Sequence, residues 1–168
     1  GTGPIGLMFV ALARRHGCSV TAVGRGAQRL AAAQRLGAVQ TIDVTGTSDD
    51  LVDTVIAARG EPFDVVMEAV GKPAVWETAA RLVRKGGRVN FFGGCPSGTR
   101  VCFDTGWLHY ASVRLLASFH HTPVAVRQAL NYIERGYVRA SEFVDGQCPL
   151  SDLPALFQRM AAGNRTIK

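Results

Sequence analysis

The sequence predicts an α/β fold: a doubly wound parallel sheet with helices on both faces. Three observations carry this. Short apolar runs of strand length alternate with longer helical patterns along the first two thirds of the chain, and strands separated by helices of about ten or more residues pair in parallel. Gly17, Gly37 and Gly136 stand where helical patterns stop, the place for a left-handed closing residue. The chain opens on Gly1-Thr2-Gly3-Pro4-Ile5-Gly6, a G-x-G-x-x-G spacing immediately before a helical pattern.

The elements follow in order. Leu7 to His16 reads as a helix, with Arg14, Arg15 and His16 at the negative end of its dipole. Ser19 to Val23 is a strand, Gln28 to Leu36 a helix, Val39 to Val44 a strand and Asp49 to Arg59 a helix. Phe63 to Glu68, with Val65, Val66 and Met67 in a row, reads as a strand buried on both faces. A helix spans about Ala74 to Val83, and Gly86-Gly87 turns the chain into a strand from Arg88 to Phe92. Beyond a loop at Gly93 to Gly98, the spacing predicts a short strand at Arg100 to Phe103, a helical turn at Trp107 to Ala111 and a strand at Ser112 to Phe119. Thr122 caps a helix with Pro123 at its first position, running to Arg135. Phe143 to Cys148 is extended, and Ser151 caps a last helix that ends near Gly163. No internal repeat or low-complexity stretch appears.

A parallel sheet of this kind binds ligands at the carboxyl ends of its strands. In the opening loop the first glycine allows a tight turn, the second lets backbone approach a pyrophosphate, and the third lets helix pack on strand. The strand that should precede Gly1 is absent, and it is the central one in the 3-2-1-4-5-6 order. The chain is therefore expected to be a fragment of a longer protein, lacking its first central strand.

The second strand leads into Gly24, followed by Arg25. A carboxylate at this place takes the ribose hydroxyls of NAD. Its absence removes repulsion of a 2′-phosphate, and the Arg25 guanidinium offers that phosphate paired hydrogen bonds. Arg29, one helical turn on, adds a second cation. The expected cofactor is NADP or NAD, with NADP favoured, and Gly24→Asp is expected to shift the choice towards NAD. The alternative is that Arg25 and Arg29 are solvated surface residues.

Composition bounds the rest. With 168 residues, 47% apolar and 19% charged, the chain suits one soluble domain. A net charge of +6 is spread without blocks or an aromatic stripe, which argues against nucleic acid as a partner. No apolar run approaches the roughly 18 residues of a membrane span. Cys18, Cys95, Cys102 and Cys148 form no C-x-x-C pair and read as free thiols in a reducing, cytoplasmic setting. No metal site is expected among these residues.

The runs GTGPIGLM at the start, VMEAVG at Val66 to Gly71, KGGRVNFFGG at Lys85 to Gly94 and CPLSDLPALFQRM at Cys148 to Met160 resemble the zinc-containing medium-chain alcohol dehydrogenases. The sorbitol dehydrogenase-like members are the nearest in look. The resemblance covers essentially the whole chain and implies its C-terminal, nucleotide-binding Rossmann domain, with the last part from about residue 143 returning towards an N-terminal catalytic domain. It implies a catalytic zinc held in that other domain, a small alcohol or polyol substrate and a homo-oligomer, dimer or tetramer, when full length. On the cofactor side it assigns Gly1, Thr2, Gly3, Pro4 and Ile5 to the phosphate and adenosine loop and Arg29 to a basic place near the adenosine. Ala69 and Val70 fall in a loop covering the cofactor, and Phe92, Gly93 and Gly94 in the turn beneath the nicotinamide. Ser118, Phe119 and His120 fall in the segment that pairs with its carboxamide. Gly24 is the departure, since the family's ribose acid stands there.

His120 and His121 stand at a strand end, where sorbitol-type relatives place polar side chains that reach substrate. The competing reading has them facing solvent or the other domain. His109 and Tyr110 read as packing or dimer contacts, and Cys95 as an inert thiol near the nicotinamide edge. The expected reaction is hydride transfer between a secondary alcohol or polyol and a nicotinamide, with no catalytic residue in this stretch. A zinc-free quinone or enoyl reductase of the same superfamily and a non-catalytic nucleotide-binding module stay open as alternatives. Short-chain dehydrogenases need Tyr and Lys four apart, yet Tyr110 is followed by Arg114 and Tyr132 by Gly136. A methyltransferase wants an acid where Gly24 stands.

Overall fold

A computed structural model describes residues 1–47, 50–144 and 146–163. Helix α1 (Pro4–Arg15) leads into strand β1 (Thr21–Gly24), helix α2 (Ala27–Arg35) and strand β2 (Gln40–Asp43). Then come α3 (Leu51–Arg59), β3 (Phe63–Glu68), α4 (Pro73–Arg81) and β4 (Val83–Phe91). The chain finishes through α5 (Thr105–Tyr110), β5 (Arg114–Ala117), α6 (Pro123–Glu134), two single 3-10 turns and α7 (Leu153–Ala161). This is a Rossmann-like α/β domain, as the alternation predicts.

Every strand pair is parallel, because a helix returns the chain to the same edge each time. β1 lies beside β2 with Thr21 opposite Gln40 and Gly24 opposite Asp43. β3, β4 and β5 form a second set in that order, with Glu68 opposite Phe91 and Phe91 opposite Ala117. Among the described residues no strand joins β1 to β3. The two sets, β1-β2 and β3-β4-β5, are both parallel, as in a doubly wound sheet.

The core divides the same way. Leu7 and Val10 of α1 pack with Ala22 of β1, Ala32 and Ala33 of α2, and Phe143. Ile42, Val44, Val52, Val55 and Leu82 join β2 and α3 to the end of α4. Ala79, Val83, Val89 and Phe91 form the third group, where the Trp76 ring stacks on Phe91 at 4.1 Å between centroids. α6 keeps no side chain fully buried, and Val126, Leu130 and Ile133 are exposed.

Several sequence expectations need correction. β3 has the expected bounds, but it is not buried on both faces: Val65 and Met67 are 47% and 37% exposed. A strand face is buried only by what lies beside and above it, and β3 has a neighbour on one side only. α1 starts at Pro4, whose missing N–H costs nothing in a first turn. β4 starts at Val83 and runs through Gly86-Gly87, with a register shift between Phe63 and Val65. No strand forms at 100–103, because the Cys102 N–H donates to the Glu77 carboxylate at 2.9 Å. Asp104, accepting from the Trp107 N–H at 3.0 Å, starts α5 earlier than expected. Around Phe143 there is a 3-10 turn (Ala140–Glu142) and a buried phenyl ring in place of an extended run. Ser151 does not cap α7; it lies in the 3-10 turn Leu150–Asp152, and its hydroxyl donates to Asp152. Of the expected helix at Asp49 to Arg59, Asp49 lies outside the described residues, and Asp50 is the cap, accepting from the Val52 N–H at 2.9 Å. No helix among the described residues is long and apolar enough to cross a membrane.

Candidate functional site

The opening loop, at the start of α1, meets the glycine-containing turns that end β3 and β4, with the end of β1 also beside it. Gly3 is the N-cap of α1, in extended backbone, and the first helical bond runs from the Leu7 N–H to the Gly3 carbonyl at 2.9 Å. Pro4 has no N–H, so the Ile5 and Gly6 N–H groups are the donors this helix start turns outward. No side chain caps them and no acid stands in the first turn, so the helix start itself favours an anion. A β-carbon on Gly3 would meet nothing within 4 Å, whereas one on Gly6 would run into the Gly1 carbonyl. The second glycine thus faces open space, and the third is consumed by packing. That cradle fits the pyrophosphate of a dinucleotide.

The other two turns are locked to each other by a residue that the sequence reading passed over. Glu68 ends β3 and is 2% exposed. Its carboxylate accepts from the Val70 N–H at 2.6 Å and from the Gly71 N–H at 3.1 Å. Its carbonyl accepts from the N–H groups of Phe92 and Gly93, both at 3.0 Å. A β-carbon on Gly93 would lie 2.8 Å from Glu68 Oε2 and 2.8 Å from the Val70 nitrogen, so this approach requires glycine. The Trp76 indole N–H fixes the Gly93 carbonyl at 2.8 Å, and Phe9 of α1 meets Phe92 edge-on at 5.2 Å. Ala69 and Val70 reach the opening loop: a β-carbon on Gly1 would sit 2.6 Å from Val70 Cγ2. A signal for Glu68 was present: one acid closing an apolar strand before a glycine turn needs partners to be buried.

At the end of β1, Gly24 is buried beneath Thr2, which is 5% exposed. Arg25 projects into solvent, and Arg29 is partly covered on the first turn of α2. Asp43, the register partner of Gly24, holds the Arg25-Gly26 turn from the side. Hydrogen bonds from the Thr45 side chain and backbone, and a lesser one from Gly26, keep its carboxyl below the usual range.

The expected carboxamide segment lies at the end of β5. Ser118 donates from its N–H to the Phe91 carbonyl at 3.3 Å and from its hydroxyl to Asn90 Oδ1 at 2.8 Å. Phe119 is 87% exposed. His120 is held at φ +66° with its ring 3.9 Å from that of Phe119. A left-handed residue other than glycine costs roughly 1–2 kcal/mol. His121 lines an open groove with Pro123, Val126, Arg127 and Leu130, while Tyr110 is exposed with its ring edge-on to His109 at 4.8 Å. Cys95 is half-buried and all four cysteines are free. A cavity of about 380 Å³ opens among α3, α4 and α5, lined by Glu77, Arg81 and Trp107; none of the strand-end residues lines it. No group of three His, Cys, Asp or Glu among the described residues could hold a metal. These residues therefore do not fit a catalytic zinc.

Comparison with known proteins agrees with this geometry. Residues 4–135 match the family model described as zinc-binding dehydrogenase. The L-threonine 3-dehydrogenase of Bacillus velezensis is 30% identical over 168 residues, covering 97% of this chain and 47% of that protein. The sorbitol dehydrogenase of Bacillus subtilis is 25% identical over 95% of this chain and 44% of its own. A zinc-binding dehydrogenase of Sinorhizobium meliloti, solved bound to NADP, superposes with a TM-score of 0.85 at 28% identity, covering 93% of this chain and 46% of that one. The chain thus spans about half the length of the relatives it matches. An anion-ready helix start, glycine turns packed at the strand ends and a family match over most of the chain converge: this protein belongs to the zinc-binding, medium-chain alcohol dehydrogenase family.

Proposed function

We propose that this chain is the dinucleotide-holding half of an alcohol or polyol dehydrogenase that prefers NADP. The observation that carries this is the uncapped, acid-free start of α1 with open space at Gly3, set beside Gly24 and Arg25 where an NAD-type acid would stand. When bound, the nicotinamide supplies hydride transfer to and from a secondary alcohol carbon. The chain's own residues bind and orient. The Ile5 and Gly6 N–H groups and the α1 dipole hold the pyrophosphate, and Arg25 pairs with the 2′-phosphate, with Arg29 beside it. Ala69, Val70, Phe92, Gly93 and Gly94 close on the nicotinamide ring. Ser118, Phe119 and His120 present backbone groups to its carboxamide. Orientation of this kind contributes by fixing the reacting face against the substrate. A catalytic zinc, where the enzyme uses one, would be held by other residues. Free thiols at all four cysteines support a cytoplasmic setting.

The test is cofactor choice in the full-length enzyme. Wild type prefers NADP over NAD in kcat/KM, and Arg25→Ala reduces that preference by about tenfold, the worth of one charge-assisted pair at 1–2 kcal/mol. A wild-type preference for NAD of about tenfold or more sinks the NADP assignment.

The exposed histidines separate two roles. His120→Ala or His121→Ala lowers kcat/KM for a polyol much more than for a simple alcohol if either ring reaches substrate, while cofactor affinity changes little. Equal losses on both substrates show that the pair faces solvent or the other domain.

A further inference from the structure

We propose that Thr2 and Gly24 act as one specificity element, in which the Thr2 side chain fills the volume that an acid's β-carbon at position 24 would need. The proposal rests on reading this edge as the dinucleotide site and adds the residue that decides which ribose it accepts. The geometry is direct. A β-carbon built on Gly24 would lie 2.9 Å from Thr2 Cβ and 2.6 Å from Thr2 Cγ2, with Oγ1 closer still. Real β-carbons do not approach other atoms this closely, and the obstruction is not the far end of a long, flexible chain. Thr2 branches at its β-carbon, so it has few rotamers to retreat into. It is 5% exposed, in a loop tied by Gly6 packing on Gly1 and by Val70 against Gly1. Gly24 is therefore more than a lost carboxylate. While Thr2 stands, any side chain at position 24 pushes the pyrophosphate loop away from β1.

On this proposal Gly24→Asp alone does not give the shift towards NAD that the missing acid by itself suggests. The carboxylate would arrive together with an overpacked contact beneath the phosphate loop, and both dinucleotides share that loop. A usable acid at position 24 requires a smaller residue at position 2. Thr2→Gly removes all three obstructing atoms, whereas Thr2→Ala keeps the one at 2.9 Å.

The experiment is a double-mutant cycle in the full-length enzyme, read by titration with NADPH and NADH and by thermal melting without cofactor. Gly24→Ala, which adds a β-carbon and no charge, weakens both cofactors by about tenfold and lowers the melting temperature. Thr2→Gly/Gly24→Ala recovers both readouts to within about twofold of Thr2→Gly alone in affinity. Gly24→Asp alone loses both cofactors without switching, while Thr2→Gly/Gly24→Asp shifts the NADH-to-NADPH affinity ratio towards NADH by about tenfold or more. Gly24→Ala behaving as wild type, or additive effects in the double variant, overturns the coupling. Coupling in the melts with no shift in ratio for Thr2→Gly/Gly24→Asp overturns the specificity role. A wild-type enzyme that binds neither dinucleotide sinks the site reading instead, and the cofactor-free melts tell that failure from a failure of the coupling.

Discussion

Glu68→Ala in the full-length enzyme is expected to weaken nicotinamide cofactor binding by about tenfold and to cost about 2 kcal/mol of stability, while Glu68→Gln retains most of both. The reason lies in what the carboxylate holds. Oε1 takes the N–H groups of Val70 at 2.6 Å and Gly71 at 3.1 Å, with a longer contact from the Gly71 N–H to Oε2 at 3.4 Å, and an amide oxygen in the place of Oε1 accepts the two shorter bonds. Alanine accepts neither and leaves a void beside Gly93, whose backbone is close-packed against Oε2. The turn at 69–71 then loses its anchor on β3, and with it the contact of Val70 on the opening loop. Glu68 touches no reacting atom in this account; it is a positioning residue for the two turns that meet the nicotinamide. Kinetics and urea melts separate this from a purely structural role. A loss of stability with unchanged cofactor KM would reduce Glu68 to a packing residue, and equal damage from Gln and Ala would show that charge, not hydrogen-bond geometry, is what matters.

What the sequence revealed and what it hid divide along physical lines. The bounds of β3 and the start of α6 were legible because their signals are local: an apolar run closed by an acid, and Thr122 before Pro123, whose hydroxyl does accept the Ala125 N–H at 3.2 Å. The glycine loop was legible for the same reason, since turn, cradle and helix start lie within six residues. Residues 100–103 misled, because Arg-Val-Cys-Phe has strand character but its backbone partner is a carboxylate 25 positions earlier, Glu77. Ser151 misled because the chain takes a 3-10 turn just before α7, moving the helix start beyond it. The Thr2–Gly24 contact was hidden altogether: it joins positions 22 apart in sequence through the packing of a loop on a strand end, and no periodicity reports such a pair. Gly24 was visible as a missing acid, yet the reason it must be glycine is steric and belongs to its neighbour.

A chain that begins at Gly1 is expected to melt without a cooperative transition, and one carrying about eight more residues ahead of Gly1 is expected to melt sharply and bind dinucleotide; eight residues at about 3.3 Å each match the length of a strand. β1 and β3 are each paired with a strand on one side only among the described residues, so Thr21–Gly24 and Phe63–Glu68 each have an edge of N–H and C=O groups without a strand partner. Val65 and Met67 of β3 are exposed apolar groups that burial would stabilise, each side chain by roughly 1.5–3 kcal/mol. Against a total of about 5–15 kcal/mol for a domain, a few such contacts decide between a folded state and a loose one. Open edges also recruit strands from other chains. The chain starting at Gly1 should therefore bind the dye ANS and sediment as aggregates, whereas the extended one should sediment as a discrete species and quench NADPH-sensitised fluorescence on titration. A monomer with a sharp transition and micromolar NADP affinity from the chain starting at Gly1 would show that β1 and β3 need no strand between them.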